Sequence, residues 1–241
     1  KRIKSYVNGT LVKDTLGLFQ KKEHSVNYLE SHDGYTLGDF IRIGSREVDP
    51  GKIIKDVDKN VKLTPDQMKL NKLGALFLFT SQGITMIHEG QEFARSKVVP
   101  FNIKVKDNDR GRIDHNSYNK DNETNYINYK HAAINKELVD YYKGLISLRK
   151  AYPAFRHAEY ENIIFTDHSK SKFGFCYILK HEKDEFIVIF NADPEYELEF
   201  NLPEGRYDVL VDKNSAGIKA MYEVKGKIIL ETTTGMILKL K

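Results

Sequence analysis

Cysteine is nearly absent from this sequence: Cys176 is the only one in 241 residues. That excludes an internal disulfide framework and every zinc site built on several thiolates. Long apolar runs are missing too. The densest, Leu73 to Phe79, is broken by Gly74 and falls far short of the roughly 20 apolar residues a membrane-spanning helix requires. Charge of one sign is scarce. Lys and Arg total 38 against 34 acids, a formal net charge of +4, and the signs alternate along the chain instead of clustering into a phosphate-binding stripe, which argues against a nucleic-acid partner. Gly9, Gly34, Gly44 and Gly51 form neither a Walker nor a dinucleotide fingerprint, so no nucleotide cofactor is indicated. His24, His32, His88 and His115 lie far apart with no helical His-Glu-x-x-His spacing, so no metal site is expected. The sequence opens on Lys1 without a leader pattern and reads as a processed or excised piece, leaving its cellular location open.

What is present is ordinary globular material, 40% hydrophobic and 30% charged, whose patterning changes near Tyr152-Pro153. Before that point the chain reads as α/β. Val26 to Asp33 carries β-favouring residues up to Gly34 and is expected to be a strand. Leu37 to Val48 reads as a short helix. Thr64-Pro65-Asp66-Gln67 is a helix start: Thr64 can accept an orphan backbone N–H, Pro65 presets φ, and Gln67 stands at the reciprocal capping-box position. That helix is expected to run to about Ser81, with Gly83 ending it and Ile84 to His88 following as a second strand. Strand, helix, strand is the βαβ unit of a parallel sheet. A polar stretch from Phe93 to Tyr129 reads as a site-forming loop. A second amphipathic helix from about Asn135 to Lys150 carries Leu138, Tyr142, Leu145 and Arg149 on one face and closes before Pro153.

After Ala154 short β runs alternate with turns: Phe173 to Lys180, Glu185 to Ala192, Tyr196 to Asn201, Tyr207 to Asp212, Lys227 to Glu231 and Met236 to Leu240. Asp193-Pro194, Pro203-Glu204-Gly205 and Lys225-Gly226 punctuate them as an antiparallel sandwich would be punctuated. Cys176 falls in one of these runs and reads as a small core residue.

Two clusters carry candidate chemistry. Ser31-His32-Asp33 stands where the first strand meets its loop, and His88 with Glu89 and Glu92 repeats the placement at the second, so both could share one rim. A Ser-His-Asp triad is rejected, because neighbouring side chains on a strand diverge and cannot form a relay.

Several segments resemble a known family. Val26-Asn27-Tyr28-Leu29-Glu30-Ser31-His32-Asp33-Gly34-Tyr35-Thr36-Leu37 is similar to the fourth signature region of the α-amylase superfamily (glycoside hydrolase family 13), in the form found in pullulanase- and isoamylase-type debranching enzymes. Leu73 to Ile84 resembles the helix before the eighth barrel strand, and Met86 to Lys97 resembles the family's G-Q-E-F-x-R-T-K segment. Asn116-Ser117-Tyr118-Asn119 with Asn125 to Tyr129 is similar to the N-S-Y-N loop and its N-x-I-x-W partner. Departures are Glu89 for Ala, Ser96 for Thr and Tyr129 for Trp.

The resemblance implies the fold class α/β plus all-β: residues 1–155 would be the seventh and eighth βα units of a (β/α)8 barrel, and 156–241 an antiparallel β-sandwich. It implies part of a retaining α-glucan hydrolase acting on α-1,6 branch linkages of pullulan, glycogen or starch. Asp33 matches the transition-state-stabilising acid and His32 the adjacent ligand of the −1 sugar. Tyr118 and Asn119 would be loop contacts to substrate. No cofactor is implied; calcium stays open, with no indication in the sequence. The expected partners are an α-glucan and the remainder of the same enzyme, which would supply nucleophile and acid/base; the chain alone would be inactive. The apolar helix at Leu73 to Phe79 would then be left facing water. An α-1,4 amylase or a branching transferase shares the His-Asp signature. A non-catalytic carbohydrate-binding or structural module is the other reading, favoured if Tyr160, Tyr207 and Tyr222 align on an exposed sandwich face.

Overall fold

The structure, a computed structural model, describes residues 1–46, 48–49, 51–101, 108–166 and 171–241. Along the chain come α1 (Arg2–Val7), β1 (Val26–Asn27), α2 (Leu37–Gly44), α3 (Val57–Val61), α4 (Pro65–Thr80), β2 (Ile84–Thr85), α5 (Lys130–Ile134), α6 (Lys136–Ala151) and α7 (Ala154–His157). Eight strands follow: β3 (Ile163–Thr166), β4 (Gly174–His181), β5 (Asp184–Asn191), β6 (Leu198–Asn201), β7 (Tyr207–Val211), β8 (Glu223–Val224), β9 (Lys227–Leu230) and β10 (Thr234–Leu240). The chain divides into two compact units, one of Lys1–Asn27, Lys72–Met86 and Asp140–Lys241, the other of Tyr28–Asn71 and Ile87–Val139.

In the first unit an antiparallel sheet runs in the order β3-β4-β5-β10-β7-β8, and β6 pairs with β9 as a second, two-stranded sheet. The six expected β runs are all present; β3 and the two-residue β8 are additional. Alternation assigns the faces. Ile228 and Leu230 of β9, with Leu198 and Phe200 of β6, bury against Cys176, Ile178, Ile187, Ile189, Val209 and Leu238. These side chains form a sandwich core. β5 is apolar on both faces, because its alternate residues are covered by helices: Phe190 meets Phe77 edge-on with centroids 6.0 Å apart, and Phe186 meets Tyr152 and Phe155 at 4.9 and 4.8 Å.

This packing corrects one expectation. The second half of α4 does not face water: Ala75, Leu76, Leu78 and Phe79 are buried, and Gly235 of β10 makes the room, since a Cβ there would lie 2.3 Å from Leu76 Cδ2. Exposed apolar side chains lie instead on the strands, Val26 at 48% and Ile84 at 51%. Those strands pair in parallel, Val26 with Ile84 and Asn27 with Thr85, as the βαβ reading requires. They are far shorter than expected. Among the described residues each has one hydrogen-bonded neighbour strand, and past Asn27 and Thr85 the backbone leaves the ladder for loops.

The α4 start is as expected: Thr64 N–H donates to Gln67 Oε1 at 3.1 Å and Gln67 N–H to Thr64 Oγ1 at 3.4 Å. Its end is closed by a residue of α6. The buried Arg149 guanidinium donates to the carbonyls of Phe79 and Ser81 at 2.8 Å each, of Gly83 at 2.7 Å and of Phe155 at 2.5 Å. Helix C-termini leave carbonyls without intrahelical partners and carry partial negative charge, so a fixed cation there serves both needs. Burial foremost, with Arg156 nearby, brings the Arg149 pKa down to about 10, far enough above neutrality to keep the charge. Gly144 lets α6 approach the chain at Ala216, whose carbonyl oxygen would be 1.9 Å from a Cβ.

The second unit is organised by buried polar groups more than by apolar ones; its apolar cluster centres on Ile54, Val98 and Ile113. Thr36 caps α2 by accepting Asp39 N–H at 3.0 Å, and its hydroxyl donates to the Arg95 carbonyl at 2.8 Å. Arg42, fully buried, donates to Asp39 at 3.2 Å and to the carbonyls of Val61 and Ala94 at 2.8 Å each. Asn135 ties the same segments, donating to the carbonyls of Val61 and Phe93. Such a network is stable only if its members are satisfied together, and these bonds bind segments up to 74 residues apart in sequence.

Candidate functional site

The loop between β1 and α2 carries Ser31, His32 and Asp33. Both ionisable side chains are open to solvent, each 70% exposed, with His32 Nε2 3.6 Å from Asp33 Oδ2. Their backbone is fixed by a buried cation. Lys97 Nζ donates to the main-chain oxygens of His32 at 2.8 Å and Gly34 at 3.2 Å, while Lys97 N–H donates to Asp39 Oδ2 at 2.8 Å. Lys97 is fully buried, and its ammonium pKa is lowered, first by burial and then by Arg95, against the opposing pull of Glu30, Asp114 and Asp39.

Glu30 is the second hidden element. Its side chain is fully buried, accepts the Leu37 N–H at the start of α2 and faces His88 Nδ1 at 3.2 Å. A carboxylate inside a β-favouring run needs a partner if it is buried, and here it joins the loop, the helix and His88. His88 therefore supports the loop. Glu89 accepts the Tyr129 hydroxyl, which pushes that phenol's pKa up, and Glu92 accepts Gly90 N–H at 3.0 Å. Arg95, its pKa lowered by burial first, donates to the carbonyls of Glu89 and Asn125 at 3.4 Å each.

Asn125 shapes the turn that bears the other expected site residues. It accepts the Ser117 hydroxyl at 2.8 Å and donates to the Lys120 carbonyl at 2.7 Å, leaving Tyr118 58% exposed and Asn119 exposed. No hydrogen bond joins this turn to His32 or Asp33 among the described residues. Of the four expected site residues, the structure brings His32 and Asp33 together and places Tyr118 and Asn119 on their own exposed turn. Residues 102–107 of the expected site-forming loop lie outside the described residues.

Lys97, Glu30, Asp39 and Asn125 were not singled out from sequence. Glu30 had a detectable mark, an acid within an apolar β run. Lys97 closes the segment similar to G-Q-E-F-x-R-T-K, but nothing local discloses its role, since it binds main-chain carbonyls more than 60 residues away. Among the described residues no group of three or more His, Cys, Asp or Glu could hold a metal ion. No described helix is long and apolar enough to cross a membrane. Chemically, an exposed carboxylate beside an imidazole on a braced loop can accept from and donate to neighbouring hydroxyls. Among the described residues the ion-pair partner of Asp33 is the His32 imidazole, not a second carboxylate of the kind glycoside hydrolysis pairs.

No family model matches the chain. It is 27% identical over 186 residues to a pullulanase from Bacillus subtilis (strain 168), covering 74% of this chain and 22% of that protein. Over 150 residues it is 27% identical to an isoamylase from a Flavobacterium species, covering 58% of this chain and 18% of the relative. A solved pullulanase from Bacillus acidopullulyticus superposes with a TM-score of 0.77 at 25% identity, over 98% of this chain and 26% of that one. The chain thus spans about a fifth of the length of the curated relatives it matches.

Proposed function

We propose that this chain, whose relatives and structural neighbours are pullulanases and an isoamylase, is the C-terminal part of an α-glucan debranching hydrolase. In this reading residues 1–155 contribute the last two βα units of the catalytic barrel, and 156–241 form the C-terminal sandwich domain. Asp33 accepts from ring hydroxyls of the −1 sugar and His32 donates to the same sugar. Such contacts tighten as the ring flattens toward an oxocarbenium-like transition state, and a carboxylate near the acid/base raises that group's pKa. The nucleophile and the acid/base come from residues outside this chain, so the chain by itself leaves the glucan intact. Tyr118 and Asn119 extend the glucan contact from their turn.

One observation carries the reading: a fully buried ammonium, Lys97, holds the two loop carbonyls that flank Asp33, those of His32 and Gly34, while Asp33 itself stays open to solvent. Burying a charge is costly, and pre-organising an exposed carboxylate is a use that offsets it. The test is Asp33→Asn in the complete polypeptide with pullulan as substrate. A fall in kcat of about a hundredfold or more is expected, the usual consequence of losing a pre-organised transition-state contact. A variant with undiminished kcat would remove Asp33 from the mechanism. Linkage analysis of the products from pullulan and amylose separates α-1,6 from α-1,4 action.

The carbohydrate-binding alternative for the sandwich loses its main support. Tyr207 is 1% exposed and its ring belongs to the core, so Tyr160, Tyr207 and Tyr222 do not share an exposed face. Tyr160 and Tyr222 instead donate their hydroxyls to Asp14 and Asp212.

A further inference from the structure

In the second unit a cavity of about 540 Å³ opens between the end of α2, the segment leading into α3, and the start of α4. Its size falls within the range of small-molecule sites. Four lysines line it: Lys52, Lys55, Lys59 and Lys62. Among the described lining residues there is one acid, Asp56, whose Oδ1 already accepts the Lys59 N–H at 2.9 Å as the cap of α3. Among the described residues none of the four ammonium groups has an ion pair, whereas Lys13, Lys120, Lys180, Lys213, Lys227 and Lys239 each meet a carboxylate. The inner wall is mixed, with Ile54 and Val48 apolar and Asn60 and Gln67 polar.

Four like charges around one concavity repel one another, and a low-dielectric wall concentrates their field on whatever anion enters. Lysine ammonium groups bind phosphate as point charges, without needing the fixed bidentate geometry of an arginine fork. A bare phosphate would leave most of this cavity unfilled, and the mixed wall suits a body with both carbon faces and hydroxyls. We propose that this cavity binds a phosphorylated sugar, its phosphate held by Lys52, Lys55, Lys59 and Lys62 and its ring resting against Ile54 and Gln67. The proposal stands independently of the debranching assignment, since it concerns binding by this chain alone.

The experiment titrates the full chain with glucose 6-phosphate, inorganic phosphate and glucose by calorimetry, at low and at elevated salt. The lysines are solvent-exposed, so the quadruple variant K52A/K55A/K59A/K62A should fold, as circular dichroism will verify. Glucose 6-phosphate is expected to bind at least about tenfold more tightly than either glucose or inorganic phosphate, to weaken as salt screens the lysines, and to lose about tenfold or more in the variant. Equal affinity for inorganic phosphate would overturn the sugar-phosphate assignment in favour of a simple anion site. Binding of glucose as tight as of its phosphate, unchanged affinity in the folded variant, or no heat from either phosphate compound up to about 10 mM would overturn the site altogether.

Discussion

Lys97 Nζ lies 2.8 Å from the main-chain oxygen of His32, across 65 residues of sequence, and this bond together with that to Gly34 holds the loop that presents Asp33. Lys97→Met keeps the aliphatic volume and removes the donor. Amide hydrogen exchange across residues 32–36 should accelerate by about tenfold or more, corresponding to roughly 1.4 kcal/mol or more of lost local protection. Unchanged exchange would mean that the loop is held without the ammonium.

The same loop makes an opposite prediction for its exposed acid. Asp33→Asn in this chain should alter stability by no more than about 0.5 kcal/mol in urea unfolding, because the side chain is 70% exposed and its ion-pair partner among the described residues is the equally exposed His32 imidazole at 3.6 Å. A large loss would give Asp33 a structural role that its exposure does not suggest.

Arg149→Met should be among the most damaging single changes. It leaves the carbonyls of Phe79, Ser81, Gly83 and Phe155 without their buried donor. A loss of about 3 kcal/mol or more is expected in chemical denaturation. Arg149→Lys should recover only part of it, since an ammonium with three donors cannot span the same fork.

Gly144→Ala tests packing against propensity. Alanine in a helix ordinarily gains up to about 1 kcal/mol over glycine. Here its Cβ would sit 1.9 Å from the Ala216 carbonyl, so the sign should reverse and thermal unfolding should move down by several degrees.

Cys176 supplies a pH dependence. Burial pushes its thiol up to about 11 from the ordinary 9.0, against a smaller opposing effect of a hydrogen bond with Thr166. The folded-state pKa is raised, so the unfolded chain loses its proton first. The contribution is complete below pH 9 and declines as pH rises toward 11, by an amount on the order of 2–3 kcal/mol. Wild type and Cys176→Ala compared by urea unfolding from pH 8 to 11 should therefore show a stability difference that moves against wild type. A constant difference would contradict a thiol held protonated by the core.

Much of the local structure was readable in the residues. Thr64 and Gln67 announced the start of α4 because capping bonds act within one turn, and the six main sandwich strands announced themselves through turns and β runs. His32 and Asp33 were legible as neighbours on one loop. What was not legible is how that loop is held: Glu30, Lys97 and Asp39 act through backbone groups brought close by folding, and main-chain acceptors look alike in any sequence.

The start of α4, the helix α6, the six main sandwich strands and the alternation that assigns their faces were thus determined by the sequence alone, because each rests on interactions spanning a few residues; α1, α3, α5, α7, β3 and β8 were not read from it. Only the tertiary structure decided that Arg149 closes α4, that helices cover the second face of β5, and that β1 and β2 end after two residues each. Those outcomes depend on which distant surfaces meet. Burial then turns a modest hydrogen bond into an obligatory one, and nothing in the order of neighbouring residues records where that burial will occur.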